Sequence, residues 1–371
     1  MKQTNVLILS AGGPSSDVTS VFGEIPSGMI PINGKPAISL IIDELSSQGY
    51  NKFLITVGFK KELVEKFVSN RYARLNVKLI EVDHLLGPGD SISAALDHLD
   101  SDDVLIILGD TIVKDDLSLL PESCVYTSSD FIEPNKWCLV KSDSKGNIEK
   151  LYDKMKIEDL TGLYALTGVY YLQNVSLLKG QINKNTNRME ISTLLDIYKE
   201  TEDIKCVECD HWYDIGHLDK YHRAKIMIAN SRYFNNLELD SLLGVLTKKS
   251  SDTEKLSDEL QWYKNVPKEI SVLAPRILDY QLEDGAFLKM EYYGYPTLSE
   301  LFVYGDLHIR IWKQIIGKLI DILKIFNKYK REVSLEEYRY IFFEKTQSRL
   351  NDLLTEHGDF EDIFSYEYIF L

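Results

Sequence analysis

Residues 5–36, NVLILSAGGPSSDVTSVFGEIPSGMIPINGKP, join a short apolar strand to a glycine turn and then to a Pro-rich segment. Residues 6–9 have the continuous apolar character of a parallel strand covered on both faces. Ser10, Ala11, Gly12 and Gly13 follow with side chains small enough for a ligand to approach the backbone and meet its N–H groups. A strand ending in Gly-Gly is equally the mark of an ordinary tight turn, so the weight falls on what the chain does next.

Outward from that stretch, the first 110 residues alternate strand and helix. Strands are expected at 5–10, 52–57, 78–82 and 104–108, and helices at 37–48, 62–69 and 91–97. Such alternation predicts a parallel sheet with helices on both faces. Ligands of these sheets sit beyond the carboxyl ends of the strands, where Gly12, Gly87 and Asp110 fall. Strands at 137–140 and 162–171 are expected to add a mixed wing that walls an acceptor pocket.

With Ile30-Pro31-Ile32-Asn33-Gly34-Lys35-Pro36 included, the opening resembles the start of the sugar-phosphate nucleotidylyltransferases, a family that also contains phosphocholine cytidylyltransferases. Later segments fall in that family's order. Leu86-Gly87-Pro88-Gly89-Asp90-Ser91 is similar to its glycine loop opening a helix, and Val104 to Asp110 to its strand ending in a metal-binding Asp. Thr167-Gly168-Val169-Tyr170-Tyr171 resembles the segment lining the sugar pocket, and His211-Trp212-Tyr213-Asp214-Ile215-Gly216-His217 the closing Trp-x-Asp-x-Gly motif. The resemblance covers residues 5–225 and implies a Rossmann-like three-layer α/β/α fold with a mostly parallel sheet. It implies Mg²⁺ on Asp110 and Asp214, a phosphate-facing Lys154 in the Asp153-Lys154 pair, nucleotide contacts at Ser10 to Gly13, Gly87 and Asp90, and substrate contacts at Gly168 and Glu190. Two carboxylates suit Mg²⁺, which keeps several waters and bridges substrate phosphates. Against this, Asp110 could cap a turn, Asp214 could N-cap a helix, Asp90 could cap the helix it opens, and Glu190 could be a solvated helix-start residue.

The departures from the family are specific. Its Arg after the first glycines is replaced by Ser16 or Asp17, and its Lys after the Pro of Pro-Lys by Ser27. Lys35 belongs to Gly-Lys-Pro and is not the catalytic lysine. Losing two cations beside a triphosphate removes much of the electrostatic stabilisation that phosphoryl transfer uses. Lys60-Lys61, Arg71 and Arg74 are solvated-face residues or replacements for those cations.

The chain has 371 residues, 44% of them apolar and 11% aromatic, enough for two packed cores, and a net charge of −15 that argues against non-specific nucleic-acid binding. No apolar run is long enough for a membrane span, and Met1-Lys2-Gln3 leads straight into a strand, so cytoplasm is the expected compartment. Four cysteines are too sparse for a disulfide framework. Cys206, Cys209 and His211 have zinc-like spacing, but in an extended segment residues three apart face opposite ways.

A second domain is expected over 231–371, after the first at 1–230 and an Asn235-Asn236 turn. Lys248, Glu259 and the run Lys289 to Leu298 resemble the small lobe and hinge of aminoglycoside phosphotransferases and choline kinases, making this a smaller α+β kinase-like partial domain. There a strand lysine pairs with a helix glutamate over ATP phosphates. His357-Gly358-Asp359 lacks the downstream Asn of the kinase catalytic loop, and the apolar end Tyr368 to Leu371 is unlike a solvated terminus. A truncated piece of a bifunctional protein, inactive as a kinase, is the expectation. The combined reading is a Mg²⁺-dependent enzyme joining an NTP to a small phosphorylated compound with release of pyrophosphate, for surface-polysaccharide biosynthesis. Its partners are those two substrates, without nucleic acid or membrane, and with a homo-oligomer as the protein partner considered. The alternatives are a non-catalytic nucleotide-binding scaffold, favoured by Ser27, and a nucleotide-sugar glycosyltransferase, disfavoured because Gly109-Asp110-Thr111 lacks the second Asp of Asp-x-Asp.

Overall fold

The computed structural model describes residues 4–82, 87–182, 189–228, 235–240 and 243–356. Its centre is a nine-stranded sheet whose main path runs Ile148–Asp153, Cys138–Ser142, Leu163–Leu172, Val104–Leu108, Asn5–Leu9, Lys52–Val57, Asn76–Glu81. The last four are parallel neighbours, as the strand–helix alternation predicts. Leu163–Leu172 joins them antiparallel along Val104–Leu108 and also pairs with Cys124–Ser128, beside which Lys205–Glu208 runs parallel.

Every residue of Asn5–Leu9 is buried. Val6 and Ile8 pack into a cluster with the helices Ser16–Phe22, Ala37–Ser47 and Lys61–Arg71, while Leu7 and Leu9 pack into another with Pro88–Leu96 and Ile191–Tyr198. Helices on both faces of a mostly parallel sheet make a Rossmann-like three-layer α/β/α arrangement. Each buried Leu or Ile contributes about 1.5–3 kcal/mol to holding it together. Ala37–Ser47 shows how: Ile38, Ile41, Ile42 and Leu45 form one buried stripe at helical spacing.

Two local readings change. The helix expected from Ser91 begins at Pro88, where a missing N–H is harmless in the first turn. Asn235-Asn236 is not a turn: both residues lie in the strand Asn235–Asp240, opposite Ser250 and Lys249. That strand, Val245–Ser250, Phe287–Glu291 and Ile277–Gln281 form a four-stranded antiparallel sheet. The helix Thr253–Asn265 covers it with Leu256 and Leu260, which pack with Leu288 and Met290.

The chain divides into two compact units, Met1–Val266 with Leu273–Trp312, and Pro267–Val272 with Lys313–Leu371. The boundary expected near residue 230 falls inside the first. Within that unit a segment after the four-stranded sheet is tied to the large one through Glu300, which is 2% exposed. Glu300 accepts from Lys225 Nζ at 2.8 Å, from the Gly34 N–H at 3.1 Å and from the Thr297 N–H at 2.7 Å. The second unit contains Lys268–Ser271, Leu335–Arg339 and Lys345–Glu356. In it Lys328 and Tyr329 both bond Glu269, and Leu323, Phe326 and Phe342 are exposed. His357-Gly358-Asp359 and Tyr368 to Leu371 lie outside the described residues. Among the described residues, no helix is long and apolar enough to cross a membrane.

Candidate active site

The first loop is shaped by its carbonyls and by one hydroxyl. Ser10, fully buried, receives the Gly28 N–H on its Oγ at 3.2 Å; Ala11 O accepts from Phe59 N at 2.8 Å and Gly12 O from Ser27 N at 3.1 Å. The N–H groups of Gly12 and Gly13, both exposed, are bonded by no described residue, which suits them to an anionic ligand. Ser27 sits 7% exposed behind this loop; a Cβ built on Gly109 would stand 3.2 Å from its Oγ. The place where the family has a lysine is therefore packed into the loop's support.

Asp110 and Asp214 are brought to one point from different strands. Asp110 follows Val104–Leu108, and Asp214 ends Trp212–Asp214, a short strand paired with Thr111–Val113. Ile215 N donates to Asp110 O at 3.0 Å. A Cβ on Gly216 would lie 2.5 Å from Asp110 Oδ2 and 3.3 Å from Asp214 Oδ1, so only glycine lets the two carboxylates close over this turn. Desolvation at the strand end, then the charge of Asp214, raise the Asp110 carboxyl to about 6. Asp214 accepts from Gly216 N on Oδ1 at 2.9 Å and meets His217 Nδ1 through Oδ2 at 2.9 Å. That hydrogen bond raises the imidazole above its ordinary value. Asp214 thus terminates a strand and does not N-cap the helix Leu218–Met227; Asp17 bonds that helix's first N–H at 2.9 Å. Ser15 Oγ donates to Gly216 O beside it. The segment holding Ser16 and Asp17, where the family has an arginine, here locks the first loop to the Asp214 turn.

The other expected residues are distributed as follows. Lys154 is exposed, in a left-handed conformation at the end of Ile148–Asp153. Gly87 precedes the helix Pro88–Leu96, and Gly89 approaches Met189 closely enough to donate to its carbonyl at 2.9 Å. Asp90 makes no side-chain cap; its Oδ2 is buried with no hydrogen-bond partner among the described residues, and desolvation with the Glu190 charge raises its carboxyl against a backbone hydrogen bond from Met189. Glu190 stands at the N-cap position of Ile191–Tyr198. Gly168 has φ 92° and would collide with Leu108 and Thr111 if it carried a Cβ, so it serves the close packing behind Asp110. Lys248 and Glu259 form an ion pair between the strand Val245–Ser250 and the helix Thr253–Asn265. Lys60 pairs with Asp306, Lys61 with Glu81 and Arg71 with Asp43, which commits these cations elsewhere. Among the described residues, no three His, Cys, Asp or Glu side chains cluster as metal ligands.

Sequence reading passed over a set of residues on the Asp214 side. His217 holds Asp214, and Trp137 stacks edge-on to Trp212 with ring centres 5.2 Å apart. Lys220 Nζ lies 4.3 Å from the Trp137 ring and 4.4 Å from that of Trp212. A pocket of about 130 Å³ opens here, lined by Trp212, Asp214, Lys220 and Arg223 among others. The available signal was the spacing of Lys220 and Arg223, three apart on a helix that starts directly after the Asp214 turn.

A ligand site beyond the carboxyl ends of parallel strands, in a sheet covered on both faces, defines an α/β protein of the doubly wound type. Residues 6–231 match the model of the Nucleotidyl transferase family, and the chain belongs to it. It is similar to the bifunctional protein GlmU of Methanococcus maripaludis strain C5, 26% identical over 235 residues that make up 62% of this chain and 54% of that one. It is also similar to the D-glycero-alpha-D-manno-heptose 1-phosphate guanylyltransferase of Campylobacter jejuni, 24% identical over 59% of this chain and 98% of that one. The chain thus spans about half the length of GlmU. Among solved structures, the inositol-1-phosphate CTP transferase from T. maritima shares the fold with a TM-score of 0.51 at 17% identity, covering 58% of this chain and 90% of that one.

Proposed function

We propose that the chain is a Mg²⁺-dependent nucleotidyltransferase that joins an NTP to a small phosphorylated compound, a sugar phosphate or a phosphocholine-like phosphomonoester. The observation that carries this reading is the Asp110–Asp214 pair closed over Gly216 beside a glycine loop with unclaimed N–H groups. Two adjoining carboxylates, with Asp110 held above its ordinary value by burial and by the Asp214 charge, are a donor set a divalent cation would relieve, and Mg²⁺ is held by one or two such groups together with substrate phosphates. When bound, the ion would neutralise charge on the phosphates and orient them. Gly12 and Gly13 N–H groups receive phosphate oxygens, and Asp90 meets a donor on the base. His217 keeps Asp214 oriented. The acceptor's phosphate oxygen forms a bond to the α-phosphorus of the NTP as the bond to the leaving pyrophosphate breaks, with no covalent enzyme intermediate. The similarity to a heptose 1-phosphate guanylyltransferase supports a sugar phosphate as acceptor; supply of the activated product to surface-polysaccharide synthesis is part of the proposal.

Pyrophosphate release tests it, using Mg²⁺, each NTP and dTTP in turn, and a pooled panel of sugar 1-phosphates and phosphocholine. Release that requires one NTP and one acceptor is the expected result. Absence of both release and NTP binding would favour a nucleotide-free scaffold.

A second reading concerns residues 235–312. The Lys248–Glu259 pair, made between a strand and the helix covering it, supports ATP-phosphate binding by this four-stranded lobe. Mg-ATP binding that survives Lys248→Met at unchanged affinity would remove that role.

A further inference from the structure

The glycine loop offers backbone amides but no cation, and the lysines flanking it are paired with carboxylates. Lys220 differs from them. It is half-buried, yet among the described residues no carboxylate lies within ion-pair distance of its Nζ, whose hydrogen bond goes to the Asp130 carbonyl at 3.0 Å. The neighbouring Asp130 carboxylate is taken by Arg223 at 2.8 Å. Withdrawing an ammonium from water without pairing it is unfavourable. What holds Lys220 in place is the Asp130 carbonyl together with the pair of indole faces, and neither a carbonyl nor a cation–π contact neutralises an ammonium. The charge stays available to the pocket it lines with Asp214 and Arg223.

Building on the nucleotidyltransferase reading, we propose that Lys220 binds the phosphate of the phosphomonoester acceptor, in the pocket beside Asp214, and so supplies from the helix Leu218–Met227 a charge that the first loop lacks. Burial lowers the Lys220 ammonium from its ordinary value, the condition an incoming phosphate dianion would relieve. Trp137 and Trp212 are positioning residues for it; Arg223, one helical turn on, is committed to Asp130 and leaves Lys220 as the cation offered.

The experiment uses the full chain with Trp262 and Trp312 replaced by Phe, so that fluorescence reports Trp137 and Trp212 alone. Inorganic phosphate is the probe. A saturable response is expected, weakened at least about tenfold in Lys220→Met and largely kept in Lys220→Arg, as loss of a charge-assisted hydrogen bond requires. Lys220→Gln and the unfolding midpoints of all three variants separate lost binding from lost folding. Equal phosphate affinity in the parent and Lys220→Met, or no response in the parent, overturns the proposal. NTP binding by calorimetry is measured in parallel and should be unchanged by Lys220→Met. A parent chain that binds phosphate through Lys220 but no NTP would remove the nucleotidyltransferase reading and leave the phosphate site standing.

Discussion

Under the proposed function, the two rims of the candidate site would meet phosphate in opposite ways. On the first, Ser10 to Gly13 present small residues and backbone donors, and the positions that could have carried cations, Ser16, Asp17 and Ser27, are exposed, engaged with the opposite turn or packed into the loop's support. On the second, Asp214 is followed by His217 and then by Lys220 and Arg223 in the first two turns of the helix Leu218–Met227, with two tryptophans around the lysine. The difference teaches that charge complementarity to a substrate belongs to the site as a whole and need not stay on the loop where the family places it. A phosphate sees the summed field, to which a cation on the facing rim also contributes.

The sharpest way to break this comparison is at the point the rims share. Asp110→Asn should lower turnover roughly a thousandfold in the pyrophosphate assay, since it deletes one of two carboxylates offered to Mg²⁺. The same change should stabilise the metal-free fold. The Asp110 carboxyl is raised above its unfolded value, so its ionisation opposes folding. That cost is absent below about pH 4, accrues up to about pH 6 and persists above. Asp110→Asn is therefore expected to be more stable than the parent by roughly 1–3 kcal/mol at pH 8, with the gap closing toward pH 4. Equal unfolding free energies at pH 8 would mean that neither burial nor the Asp214 charge raises the Asp110 carboxyl.

Glu300 joins the rims from behind, since it holds Gly34 on the first segment and Lys225 on the helix that carries Lys220. Glu300→Ala leaves a buried ammonium and two N–H groups without their acceptor, so a loss of about 3–5 kcal/mol is expected in denaturant unfolding. A cost below about 1 kcal/mol would show that the two rims are not held in common. Next in size is Ser27→Lys, which returns the family's cation to the first rim. With Ser27 7% exposed and Gly28 and Gly109 packed around it, the longer side chain should cost about 1–3 kcal/mol and restore no activity. A faster enzyme would refute the view that the charge has moved to the second rim.

How far the sequence disclosed this arrangement depends on whether the cause was local. Asn5–Leu9, Lys52–Val57 and Val104–Leu108 were legible almost to the residue, because strands buried on both faces are dominated by apolar residues and their ends are marked by the first Gly or Ser. The place of Asp110 at a strand end was legible for the same reason, and its expected role came from the family resemblance. Ser16–Phe22 was not, being short, mixed in composition and preceded by Pro14, so nothing in its period set it apart from the surrounding loop. Asn235-Asn236 misled because Asn favours turns in isolation, whereas pairing with Lys249 and Ser250 supplies the ladder that overrides propensity. Lys220 was hidden more deeply. Its partners are far apart in sequence, Trp137 just before the strand Cys138–Ser142 and Trp212 in the short strand paired with Thr111–Val113, and only the fold brings both rings to one ammonium.

The mildest test concerns what the first rim reads once phosphate has been bound. Asp90 sits one turn into the site from Gly87, with a carboxylate oxygen buried and unpartnered and a carboxyl raised by desolvation and by Glu190. An orphaned buried acceptor costs about 1–3 kcal/mol, and a donor arriving with the ligand would recover part of it. Amino groups on a nucleobase edge are such donors, so Asp90 should favour an NTP that presents one. Asp90→Asn replaces one acceptor oxygen with a donor amide of the same shape. It should shift the ratio of kcat/KM between amino-bearing and carbonyl-bearing bases by about tenfold toward the latter. Because the acceptor phosphate is read on the other rim, KM for the phosphomonoester should stay constant. A base ratio that moves by less than about twofold while the acceptor KM rises would place Asp90 on the acceptor side and exchange the roles assigned to the two rims.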